Sequence, residues 1–179
     1  MHEFNTPEPI GSIYEKSFCK DKSSLDQKTR LVNFISYCLN PNHYHFILEQ
    51  LEKNGISLFM AKLGGGYASY FNERHGRVGA LFQGRFKAKH ISSNDYLLHV
   101  SAYVNLNNLV HNIGQAVPEN RIKSSWEEYA KNKNGFCKKN IILDQFKTIK
   151  DYRVFAEDAL ELMAEKKEND KEISSLMFD

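Results

Sequence analysis

Leu31-Val32-Asn33-Phe34-Ile35-Ser36-Tyr37-Cys38-Leu39-Asn40-Pro41-Asn42-His43-Tyr44-His45-Phe46-Ile47-Leu48-Glu49-Gln50 reads as two apolar runs joined by a turn. The first run is rich in Val, Ile, Phe and Tyr, which suit a pleated, half-buried surface. Asn40-Pro41-Asn42 is turn chemistry: proline presets one backbone angle and asparagine bonds to its own backbone. Together they predict a β-hairpin. In the second strand a period of two puts His43, His45, Ile47 and Glu49 on one face. Tyr44, Phe46 and Leu48 take the other, which is expected to face the core.

Outward from the hairpin, residues 1–30 read as loop and weak helix. Thr6-Pro7-Glu8-Pro9 cannot sit inside a helix, and a short helix is expected to start near Ser23–Gln27. Residues 55–75 predict a helix interrupted by Gly64-Gly65-Gly66, which signals a close backbone approach or a bend. No Gly-Lys-Ser/Thr follows, so it is not a phosphate loop. Val78 to Ile91 reads as a strand or bent strand pair with a bulge at Gly84. Ser92-Ser93-Asn94-Asp95 caps a helix running to about Val110. A Trp126 segment, a loop over 132–140 and a helix from about Leu143 follow. Tyr152 to Lys167 is amphipathic through Phe155, Ala159, Leu162 and Met163, and the last dozen residues are expected to fray.

The chain has 179 residues, 41% hydrophobic and 26% charged, which argues for a globular protein and against wholesale disorder. No apolar run reaches the roughly 18 residues that a membrane helix requires. Met1-His2-Glu3-Phe4 is not a signal peptide, and three cysteines (Cys19, Cys38, Cys137) lack zinc-like spacing. A reduced, cytoplasmic protein without membrane association is the expectation.

The net charge of +2 is unevenly spread, with −4 over residues 150–179 and +6 over residues 1–149. Arg74 to Ile91 holds Arg74, Arg77, Arg85, Lys87 and Lys89, two histidines and no acid. Such a stretch suits a polyanion, or equally a solvated basic edge strand.

His43 and His45, two apart on one strand face, can reach one metal ion, although an isolated pair of this kind is ordinarily two surface histidines. Tyr96, Val100, Tyr103, Asn107 and Val110 form one helical stripe expected to face the protein body. Tyr103 and Asn107 lie one turn apart. His75, His90, His99 and His111 read as ordinary polar residues. Two imidazoles and an amide oxygen suit Mg²⁺ or Mn²⁺ and leave positions for phosphate oxygens. A tyrosine beside them is a candidate attacking group, although a phenol, with its usual pKa of about 10, requires activation.

These pieces carry a resemblance. Asn40-Pro41-Asn42-His43-Tyr44-His45-Phe46-Ile47-Leu48-Glu49 resembles the motif strand of the HUH single-tyrosine transposases. Ala80-Leu81-Phe82-Gln83-Gly84-Arg85-Phe86-Lys87 is similar to that family's second landmark, and Tyr103-Val104-Asn105-Leu106-Asn107 to its nucleophile helix. Order and spacing match over roughly residues 30–130, and the REP-associated tyrosine transposases are the most similar branch. The resemblance implies an α+β fold: a ferredoxin-like antiparallel sheet with helices on one face, plus C-terminal helices. It places a transposase domain at 1–130 and a helical extension at 131–179. The chain looks N-terminally shortened, lacking that fold's first strand.

The resemblance also implies roles. His43, His45 and Asn107 would be metal ligands, the last aligning with a position that is Gln in many members. Tyr103 would be the nucleophile, cleaving and rejoining single-stranded, hairpin-associated DNA through a 5′-phosphotyrosine with Mg²⁺ or Mn²⁺. A homodimer is expected, and Arg74, Arg77, Arg85, Lys87 and Lys89 are the candidate DNA contacts. Two other readings compete: a non-catalytic DNA-hairpin-binding module, and a structural or RNA-binding protein that kept the fold and lost the chemistry.

Overall fold

The hairpin forms where the turn chemistry places it. Strands β1 (Val32–Leu39) and β2 (Tyr44–Gln50) flank a tight turn in which the Asn40 N–H donates to the His43 carbonyl at 2.9 Å. The computed structural model describes residues 2–8, 29–110 and 122–176. Its sheet is antiparallel, in the order β2-β1-β3. The short β3 (Lys123–Ser124) sets Ser124 opposite Cys38 and Lys123 opposite Leu39. The architecture is α+β, with helices α1 (Gly55–His75), α2 (Asn94–Asn105), α3 (Asn107–Val110), α4 (Trp126–Ala130), α5 (Asn140–Leu143) and α6 (Ile149–Leu176). None of the described helices is long and apolar enough to cross a membrane. The short helix expected near Ser23–Gln27 and the question of a first strand fall on residues 9–28, outside the described residues.

Two compact units make up the chain: residues 1–33 with 48–89, and residues 34–47 with 90–179. In the first unit, the Asn5 side chain takes the place of a strand partner at the start of β1. Its Oδ1 accepts from the N–H groups of Leu31 and Val32, both at 2.9 Å, and its Nδ2 donates to the Val32 carbonyl. Helix α1 runs unbroken through Gly64-Gly65-Gly66. Of the three, Gly66 marks a close approach, because a Cβ there would sit 2.5 Å from the ring of Phe4. The helix stops at Gly76, whose left-handed φ of 59° costs a glycine little, and the Arg77 N–H closes back on the Asn72 carbonyl.

The expected strand over 78–91 is absent. Residues 76–93 form neither helix nor strand, and Val78 is 94% exposed. β-propensity requires a ladder partner to become a strand. None of the described strands pairs here, and Phe82 instead lies against Tyr67 of α1.

In the second unit, Ile35, Cys38 and Ile47 of the hairpin pack with Ala102, Val104, Leu106, Tyr129, Ile142, Tyr152, Ala156 and Ala159. This corrects the core face of β2. Ile47 is its one fully buried residue, while Tyr44, Phe46 and Leu48 are half-buried. The helix-covered face is therefore the one that also carries His43 and His45. Phe46 is edge-on to Phe34, and Tyr44 stacks on Phe46.

The C-terminal helices also differ from expectation. The helix expected from about Leu143 is two, α5 and α6, and α6 extends to Leu176 where fraying was expected. Tyr152, Ala156 and Ala159 form its buried stripe; Leu162 is 66% exposed.

Buried hydrogen bonds join these elements. Ser125 exchanges backbone bonds with Tyr37 through its hydroxyl and its N–H, and the hydroxyl lies 2.5 Å from Asn105 Oδ1. Asn105 Nδ2 donates to the Tyr152 hydroxyl at 2.9 Å, and Ser101 Oγ lies 3.2 Å from the same hydroxyl. Glu128 of α4 accepts from the Cys137 N–H in the segment after that helix, where Phe136 stacks on Tyr37 and the Lys138 N–H donates to the Phe34 carbonyl at 2.7 Å. Burial, with the Glu128 carboxylate nearby, pushes Tyr37 up to about 12.

Tyr152→Phe leaves the buried Asn105 Nδ2 without its acceptor, so a urea melt is expected to show a loss of about 1–3 kcal/mol. Gly135→Ala drives a methyl group into the buried Glu128 carboxylate. An overpacking loss of about 1–3 kcal/mol is expected in the same melt.

Candidate active site

His43, His45, Tyr103 and Asn107 all lie in the second unit. The turn carries His43 out of Asn40-Pro41-Asn42, and β2 carries His45 two residues on, toward the same side as the buried Ile47. Helix α2 begins with the Ser93 hydroxyl accepting from the Tyr96 N–H at 3.3 Å. It ends at Asn105. Leu106 leaves helical angles (φ −109°, ψ 12°), and Asn107 opens the single turn α3. The helix expected to reach Val110 is thus broken one residue before Asn107.

The expected stripe is only partly the buried one. Asn107 and Val110 are buried, but Tyr96, Val100 and Tyr103 are half-buried. Ser101, Ala102, Val104 and Asn105 fill the core instead. Tyr103 therefore sits at the boundary between core and solvent, where an attacking group has to be.

His43 Nε2 and Asn107 Oδ1 are 3.0 Å apart. Asn40 lies between them, its Nδ2 at 2.9 Å from His43 Nε2 and 2.8 Å from Asn107 Oδ1. Asn40 is itself oriented by the Cys38 thiol, which donates to its Oδ1 at 3.7 Å. The other imidazole nitrogen, His43 Nδ1, lies 2.7 Å from Asn42 Oδ1. The His45 ring is edge-on to His43 at 5.2 Å and to Tyr103 at 5.5 Å between centroids.

Among the described residues, no three His, Cys, Asp or Glu side chains converge on a metal position. A three-donor set at this site depends on the Asn107 amide, and the donors suit a hard divalent cation. His43 Nε2 and Asn107 Oδ1, 3.0 Å apart, are the atoms that would hold such an ion together. Asn107 is fully buried with its oxygen turned to His43 and its Nδ2 without a hydrogen-bond partner among the described residues. The amide is thus held by its oxygen, the end a cation takes.

Sequence reasoning missed Asn40 and Asn42 as site residues. Their only signal was turn chemistry, which needs the same residue types. The five basic residues belong to the first unit, and all are exposed. Arg74 Nη1 donates to the Tyr70 hydroxyl at 3.2 Å, and the Arg77 guanidinium lies 5.7 Å from the Phe71 ring centroid. His75 packs against Phe71 and His99 against Phe155.

A family model described as transposase, IS200 like, matches residues 16–107. That span holds both histidines, the 80–87 landmark, Tyr103 and, as its last residue, Asn107. No curated protein and no solved structure matches the chain. The match covers just over half of the chain, and its residues carry the hairpin and the tyrosine helix that the geometry brings together: the chain belongs to the IS200-like transposase family, whose activity is DNA transposition.

Proposed function

We propose that this chain is a metal-dependent transposase of the REP-associated type, which cleaves and rejoins hairpin-associated single-stranded DNA through Tyr103. The observation that carries the reading is the 3.0 Å approach of His43 Nε2 to Asn107 Oδ1, with His45 packed between His43 and Tyr103. His43, His45 and Asn107 would hold Mg²⁺ or Mn²⁺. When bound, such an ion polarises a phosphate and stabilises charge in the transition state.

The chain's own residues supply the rest. In this reading Asn42 Oδ1 accepts from His43 Nδ1–H, which leaves Nε2 for the ion, and Asn40 Nδ2 donates to the Asn107 oxygen. Tyr103 Oη attacks phosphorus, forming a phosphotyrosine bond as the bond to the 3′ oxygen breaks. The phenol proton is lost, and the 3′ oxygen leaves as a hydroxyl. Rejoining reverses these changes without ATP, because one phosphodiester is exchanged for another and none is hydrolysed. A homodimer and the exposed basic residues as phosphate contacts belong to the same proposal.

Labelled single-stranded hairpin DNA with Mn²⁺ is expected to give a protein–DNA band that survives SDS. The band should vanish with chelator and in Tyr103→Phe protein. A band that persists in Tyr103→Phe overturns the assigned nucleophile. DNA binding with no band in the wild-type protein favours a non-catalytic module.

Asn40→Ala is expected to weaken Mn²⁺ binding about 10–100-fold, as for other residues that orient metal ligands. Electron paramagnetic resonance of free Mn²⁺ measures it without DNA or turnover.

A further inference from the structure

In the first unit, Tyr67, Tyr70, Phe71 and Arg74 recur on α1 at the spacing of one helical face, yet that face meets water. Tyr67 is 48% exposed and Tyr70 51%. Phe82 and Phe86, in the segment after α1, are also exposed. Four rings are linked in a row: Phe82 lies 6.2 Å from Tyr67, Tyr67 lies 6.1 Å from Phe71, and Phe71 lies 4.3 Å from His75. Guanidinium groups border it, Arg77 over Phe71 and Arg74 bonded to the Tyr70 hydroxyl. Over residues 55–90 the charged groups are Lys62, Arg74, Arg77, Arg85, Lys87 and Lys89 against the single acid Glu73.

We propose that this aromatic and basic face of the first unit is a stacking platform for unpaired nucleotides of single-stranded DNA. Tyr67, Tyr70, Phe82 and Phe86 would present ring faces to bases, while the arginines and lysines neutralise the phosphates between them. The charge excess selects a polyanion, and the exposed rings select one whose base faces are open. Duplex DNA hides its base faces and would use only the charges. The proposal rests on the reading of this chain as a single-strand transposase, and it deepens that reading by assigning rings, not only cations, to the substrate.

The test uses the full chain and fluorescence anisotropy with labelled dT20, a 20-base-pair duplex and U20 RNA at two salt concentrations. Tyr67→Ala with Tyr70→Ala is expected to weaken dT20 binding about 30-fold or more, with the salt slope retained. Tyr67→Phe with Tyr70→Phe keeps the rings and is expected to bind as wild type. Arg74→Ala with Arg77→Ala is expected to flatten the salt slope by about 1.4, the release from two phosphates of a single strand. A 2-aminopurine base within dT20 is expected to lose fluorescence on the wild-type protein, a readout that needs no variant to fold.

Unchanged dT20 binding in a folded double-alanine protein overturns the proposal. So does duplex bound as tightly as dT20, tighter binding of U20 than of dT20, or undiminished 2-aminopurine fluorescence. The SDS-resistant band separates the two readings. Its absence in wild type sinks the transposase reading, whereas its presence at saturating DNA with binding unchanged in the alanine variants sinks only the platform.

Discussion

Asn105 is the residue on which the second unit is assembled. Its amide has one oxygen and one NH₂ group, and each meets a different part of the fold. The oxygen meets Ser125, which is tied to Tyr37 of β1, and the NH₂ group meets Tyr152 of α6. A buried amide without partners costs more than its bonds contribute, so α2, β1, α6 and the Ser125 turn must meet in one arrangement or leave polar atoms stranded. Burial raises the Tyr152 phenol above its ordinary range, keeping it protonated and able to serve in this network.

That arrangement sets the site. Asn105 is the last residue of α2, Tyr103 lies two residues before it, and Asn107 two after. Fixing Asn105 in the core leaves Tyr103 half-buried beside His45 and sends Asn107 inward toward His43. The break at Leu106 belongs to the same device, since it starts a new turn with Asn107 at its head. From the other side, the Asn40-Pro41-Asn42 turn supplies His43 together with an asparagine for each nitrogen of its ring. The residues that make the turn also orient the site, so a single structural feature does both tasks.

The hairpin was legible from residues 31–50 because turn chemistry and β-branched runs act locally. So were the Ser93 cap and the span of α1, which depend on side chains a few positions apart. The members of the candidate site were picked out by the resemblance to the family's motif strand and tyrosine helix; spacing alone reads His43 and His45 as ordinary surface histidines and Tyr103 with Asn107 as a core pair. The strand expected over 78–91 failed because a strand exists only with a partner, and that information lies elsewhere in the chain. The core face of β2 failed for a related reason. Alternation separates two faces but does not say which one the helices cover, and bulky Tyr44 and Phe46 outweighed Ile47.

Neighbouring residues therefore fixed the hairpin, the Ser93 cap and α1, and they supplied the atoms of the candidate site: two imidazoles, an amide and a phenol. Only the tertiary structure decided that Asn40 stands between His43 and Asn107, that the histidines share the helix-covered face, and that Tyr67 and Tyr70 face water. Local conformation depends on neighbours along the chain, whereas burial and hydrogen-bond pairing depend on which distant residues arrive. Asn40 and Asn107 are far apart in sequence, and no periodicity connects them; the packing of α2 against the hairpin does.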